Sequence, residues 1–113
     1  MLPEMQVDLI DRHAFSELFC EVFKGPTMSF DDYLDIIYDI GRADDVSNQV
    51  GDFLIYDEND DWYFINLKTG LIVGWYKLTH IGRANFTNDP TLTIDDLRKI
   101  FCDLKIAIDV NLK

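Results

Sequence analysis

Apolar residues recur along this chain with two different periods, and each period predicts a kind of element. Phe15, Leu18, Phe19, Val22 and Phe23 follow the i, i+3, i+4, i+7, i+8 spacing of one buried helical face. The spacing predicts a helix from about Asp11, which can cap it, to Lys24, just before Gly25-Pro26. Phe30, Tyr33, Leu34, Ile37 and Ile40 repeat the stripe. Ser29 and Asp32, three residues apart, form a capping-box pair that starts this second helix, and Gly41 supplies its stop.

From Asp52 the period shortens to two. Asp52 to Tyr56, Trp62 to Leu67 and Leu71 to Leu78 predict three strands of an antiparallel meander, joined by turns at Asp57–Asp61 and Lys68-Thr69-Gly70. Trp62, Phe64, Val73 and Trp75 share the parity of one covered face, and Gly74 inside the third strand suggests a bulge or a close approach. Arg42 to Gly51, anchored by Val46 and Val50, and Thr79 to Thr91, with its Asn88-Asp89-Pro90 turn, predict irregular segments. A third helix starts at Thr93, where Asp96 completes a second capping box, and it buries Leu97, Ile100, Phe101 and Leu104. Ile106, Ile108, Val110 and Leu112 then alternate, which predicts a closing strand; continuation of the helix to Ile108 is the alternative. The pattern as a whole is α+β in one domain over residues 1–113. It comprises two N-terminal helices, an antiparallel three- to four-stranded β-meander, a C-terminal helix and a possible closing strand.

Composition changes that picture little. A chain of 113 residues fits one domain. Eight Phe, five Tyr and two Trp supply a core that a disordered acidic tail would lack. No apolar run approaches the roughly 18 residues that span a bilayer, and Glu4, Asp8 and Asp11 interrupt the N-terminal stretch, so a soluble cytoplasmic protein is expected. Cys20 and Cys102 match no disulfide or metal spacing and are expected to be free, buried thiols of a reducing compartment. His13 and His80 have no ligand set or nucleophile at a recognisable offset, so no metal and no cofactor is expected.

Charge changes it a great deal. From Asp31 to Asp61 the chain carries eleven acids and one base, Arg42, and so holds ten of the eleven net negative charges. Asp31, Asp35 and Asp39 recur at i+4 on one helical face, where like charges weaken a helix by a few tenths of a kcal/mol per pair. Such a field favours a basic partner and repels nucleic acid and anionic membrane, so neither of these is expected as a direct partner.

Catalytic motifs are missing. The run Asp57-Glu58-Asn59-Asp60-Asp61 has the D-x-N-x-D opening of a calcium loop, but Trp62 and Lys68 stand where that loop needs Gly and Glu. Nucleophile-elbow, phosphate-loop, dinucleotide and H-E-x-x-H patterns do not occur, and both cysteines fall inside helical patterns, away from the N-terminus that would favour a thiolate. The chain reads as a non-enzyme.

What remains is acid interleaved with aromatics, a combination suited to steered encounter and anchored protein binding. Phe53 and Trp62 read as core; Tyr33, Tyr38, Tyr56 and Tyr63 read as rings able to expose a hydroxyl edge. The candidate partner-binding patch is Asp31, Asp35, Asp39, Asp44, Asp45, Asp57, Glu58, Asp60 and Asp61 with Tyr38 and Tyr56.

The acidic helix Ser29–Ile40, the acidic turn Asp57–Asp61 and the meander Phe53–Leu78 together resemble the small acidic bacterial immunity proteins of contact-dependent growth-inhibition and other polymorphic toxin systems. The resemblance implies an acidic patch that blocks the basic cleft of a toxin nuclease, its carboxylates taking the places of substrate phosphates. A monomer or weak homodimer is expected. Two alternatives share the charge argument: a nucleic-acid-mimicking inhibitor of a restriction or CRISPR effector, and a generic acidic protein-interaction module.

Overall fold

The computed structural model describes residues 6–7, 12–42, 48–58, 61–78, 82–89 and 91–111. Its elements run β1 (Gln6–Val7), α1 (Arg12–Val22), α2 (Phe30–Gly41), β2 (Gln49–Val50), β3 (Phe53–Glu58), β4 (Asp61–Asn66), β5 (Ile72–Leu78), β6 (Gly82–Thr87) and α3 (Ile94–Asn111). One antiparallel sheet has the order β1-β6-β5-β4-β3-β2. The predicted α+β class, with its N-terminal helix pair, meander and C-terminal helix, is the architecture found.

Local chemistry fixes the helix starts. At α2 the Asp32 N–H donates to Ser29 Oγ at 3.2 Å while the Ser29 N–H donates to Asp32 Oδ2 at 3.0 Å. Thr93 and Asp96 repeat this reciprocal pair at α3, both bonds at 3.1 Å. Each box satisfies two of the donors that a helix start leaves unpaired. Helix α1 ends at Val22, two residues before the predicted stop, and the Gly25 N–H then donates to the Met28 carbonyl at 2.9 Å. The proposed cap Asp11, the anchor Val46 and His80 lie outside the described residues.

The sheet corrects the sequence reading in four places. Gly74 makes no bulge: Tyr63, Gly74 and Phe86 pair in unbroken register across β4, β5 and β6. The segment after Thr79 contains a strand, β6, whose Gly-Arg-Ala-Asn opening carries little β-propensity and is held by pairing with β5 from Leu78↔Gly82 to Val73↔Thr87. The edge strands β1 and β2, of two residues each, are too short to show a period. The predicted closing strand is helix instead. With no Gly or Pro between Leu104 and Asn111, α3 continues, and Ile108 joins Leu97, Phe101 and Leu104 on the buried stripe. Ile106 and Val110 lie on the exposed side of that helix, at 60% and 63%.

All three helices bury their stripes against one face of the sheet. The principal core joins Phe15, Phe19 and Phe23 of α1 and its end, Tyr33 and Ile37 of α2, and Leu97, Phe101, Leu104 and Ile108 of α3. From the sheet it takes Phe53, Ile55, Trp62, Phe64 and Val73. Alternation along the strands places Tyr56, Tyr63, Ile65 and Ile72 in a second cluster on the opposite face.

Gly41 has a role that its sequence position disguised. It is the last residue of α2 and the chain leaves it through Arg42 in right-handed backbone, φ −89°, so no left-handed stop is involved. The Trp62 ring instead lies directly on Gly41: an added Cβ would overlap Trp62 Cζ3 and stand 3.1 Å from Cε3. Gly41→Ala gains about 1 kcal/mol of helix propensity but overpacks a rigid ring at a cost of about 1–3 kcal/mol. The expected outcome is a lower thermal midpoint than wild type, and a raised midpoint would show that the ring moves aside freely.

Candidate protein-binding surface

The solvent side of α2 follows directly from its amphipathic period. Burial of Tyr33 and Ile37 turns Asp31, Asp35 and Asp39 outward, and all three are exposed. Four acids elsewhere have a basic partner. Glu17 meets His13 at 2.8 Å, Asp52 meets Lys68 at 3.4 Å, Glu21 meets Arg98 at 2.9 Å and Asp109 meets Lys105 at 3.2 Å. The bond and charge of Arg98 hold the Glu21 carboxyl below the usual carboxylate range. Among the described residues, Asp31, Asp35 and Asp39 make no ion pair. Their charge is exposed and meets no cation among the described residues; Asp31, in the first turn, is favoured by the helix dipole.

The C-terminal end of α2 is joined to the β3–β4 hairpin by a ring stack. Tyr38, half-buried, lies against Trp62 with centroids 4.4 Å apart and an interplanar angle of 32°. Trp62 is paired across the ladder with Asp57, one residue from the closing Glu58↔Asp61 pair. Two acidic segments separated in the chain therefore meet at one seam, with Asp39 beside Tyr38 on one side and the partly exposed Asp57 on the other. Arg42, the single base of the acidic run, lies over this seam, its Cζ 5.4 Å from the Tyr38 centroid and 5.9 Å from that of Trp62. Each such contact contributes about 0.5–1 kcal/mol at an exposed site.

The structure thus sets Asp31, Asp35 and Asp39 in one exposed row on α2, and the Tyr38–Trp62 stack joins the C-terminal end of that helix to the hairpin strand pair that carries Asp57. Asp44, Asp45 and Asp60 lie outside the described residues, and Glu58 and Asp61 are placed by their backbone pairing alone. Tyr56 does not join the group. It stacks on Tyr63 at 5.0 Å on the other face of the sheet. Two rings expected to expose an edge are buried: Tyr63 at 7% and Tyr33 at 3%. Phe53 and Trp62 are core, as expected. Cys20 and Cys102 are free but exposed, not buried as expected, since both fall on the solvent faces of their helices. His13 is a surface residue. No helix among the described residues is long and apolar enough to cross a membrane.

Tyr33 serves the fold. Its hydroxyl donates to Asp109 Oδ1 at 2.6 Å, tying α2 to α3, and Lys105 Nζ donates to Asp109 Oδ2 at 3.2 Å while lying 5.4 Å from the Tyr33 ring centroid. Burial, then the bond and charge of Asp109, push the Tyr33 phenol above its ordinary 10.0. Desolvation pulls the Lys105 ammonium down, but its bonds to Asp109 and Tyr33 outweigh this and raise it. Both shifts have the same sign: the stability they contribute is complete below about pH 10 and is lost as pH rises through the raised values. Tyr33→Phe should be less stable than wild type at neutral pH and flatten the loss above about pH 10. Denaturation midpoints across pH 7–11 check this, and parallel curves for the two proteins would contradict it.

Comparison with protein-family models, with curated proteins and with solved structures found no match to this chain.

Proposed function

We propose that the chain is a toxin-neutralising immunity protein that acts in the cytoplasm by binding a basic toxin domain, a nuclease in the simplest case, through the acidic surface of α2 and the hairpin seam. One observation supports the reading: three exposed carboxylates recur in one helical row, and none of them has a cation among the described residues. A row of like charges costs helix stability, and it offers Coulombic attraction to a basic partner. Carboxylates in that row would compete with phosphates for the Lys and Arg of a nucleic-acid cleft. Tyr38 supplies an aromatic edge of the kind that anchors interfaces. The resemblance to contact-dependent growth-inhibition immunity proteins points the same way, and the reading assigns no enzymatic activity.

Affinity capture from the native host at low and high salt tests it. The expected result is one basic protein, released by salt, whose nuclease activity is absent in the complex. Capture of a restriction or CRISPR effector would move the assignment to a nucleic-acid-mimicking inhibitor, and capture of a neutral or acidic protein would contradict the charge argument outright.

A further inference from the structure

Resting on that reading, we propose that Arg42 is the anchor of this surface, its guanidinium held over Tyr38 and Trp62 so that its donor fork takes a carboxylate of the protein partner. Arg42 is exposed, and the rings fix its position at 5.4 and 5.9 Å. Its own backbone N–H is spent on the Tyr38 carbonyl at 3.1 Å, capping α2. The guanidinium, in contrast, makes no ion pair among the described residues, although Asp39 lies one helical turn before it and the run around it is the most acidic of the chain. An arginine held over aromatic rings, with no carboxylate partner among the described residues, presents its donors in a rigid plane. That plane matches a carboxylate with two parallel bonds. Stacking also removes much of the side-chain entropy that a free arginine would lose on binding, and Arg, Tyr and Trp are the residue types that dominate interface energetics.

The chemistry of the proposed partner has a place for such a group. Nuclease clefts set the bases that hold phosphates beside the carboxylates that hold metal ions. A surface of acids with one guanidinium at its seam complements both kinds of group at once. The anchor also makes the surface selective, since a uniformly basic protein would meet Arg42 with repulsion.

Arg42→Gln and Arg42→Lys, measured against the captured partner for affinity, dissociation rate and thermal midpoint, test the assignment. Arg42→Gln should weaken binding about 10- to 100-fold, through faster dissociation, with its midpoint within a few degrees of wild type. Arg42→Lys keeps the charge without the fork and should recover only part of the affinity. A surface that acted by net charge alone gives the opposite sign: deleting its one cation would tighten binding to a basic partner. Equal or tighter binding by Arg42→Gln therefore overturns the anchor while leaving the immunity reading standing, and so does affinity lost only in step with a collapsed midpoint. Failure to capture any basic partner overturns both.

Discussion

Phe101→Ala is expected to lower the stability of the fold by about 3–5 kcal/mol, a large part of the roughly 5–15 kcal/mol that holds a domain of this size together. Phe101 has no exposed surface and lies edge-on to Phe15, Phe19 and Phe64, with centroids at 5.5, 5.3 and 6.1 Å, and tilted against Phe23 at 5.7 Å. Those four rings come from α1, its C-terminal end and β4, so the side chain from α3 is the common neighbour of a helix pair and the sheet. Truncation removes the transfer free energy of a ring and leaves a hole whose walls are themselves rigid rings, poorly able to collapse into it. Edge-to-face geometry adds about 0.5–1.5 kcal/mol per aromatic pair to that loss. Ile106→Ala on the same helix, at a position 60% exposed, serves as control and should change stability by about 0.5 kcal/mol or less. Denaturant midpoints with unchanged slopes measure both. Equal, small effects at the two positions would place the core elsewhere.

Asp35→Lys with Asp39→Lys should slow association with the proposed basic partner by about 10- to 100-fold at low salt, with a much smaller difference at high salt. The two residues are one turn apart on the exposed side of α2, and neither has a cation among the described residues. Replacing one like-charged i,i+4 pair by another leaves helix repulsion nearly as it was, at a few tenths of a kcal/mol. Lysine near the helix C-terminus is favoured by the dipole, so folding should be preserved. Stability and association are then separable: the reversal acts on the encounter rate, whereas Phe101→Ala acts on the fold. Unchanged association rates at low salt would remove electrostatic steering from the account.

Much of this was legible in the sequence because it is local. Capping boxes are three-residue patterns, and the structure forms both, at Ser29-Asp32 and Thr93-Asp96. The stripes of α1 and α2, the strands β3 to β5 and the turn at Gly70, with φ 76°, likewise follow from spacing and turn chemistry over a few residues. The exposure of Asp31, Asp35 and Asp39 needed only the helical period. The misses are non-local. Residues 106 to 110 alternate by accident of a helical stripe whose member Ile108 falls between two exposed aliphatics, and nothing short of packing against the sheet separates the two periods. Strand β6 exists because β5 offers it a partner. The seam of Tyr38, Gly41, Arg42 and Trp62 joins a helix end to a strand some twenty residues on. Its one sequence signal was a single base inside an acidic run, and charge alone gave it no neighbours.

The most direct test of the central claim is a titration of this chain into a phosphodiester-cleavage assay of the proposed toxin partner. The account predicts that cleavage falls in proportion to added protein and is abolished at one equivalent, with Asp35→Lys/Asp39→Lys requiring a large excess for the same effect. A complex that forms at one equivalent while the partner continues to cleave would contradict it, because the acidic surface would then bind somewhere other than the cleft.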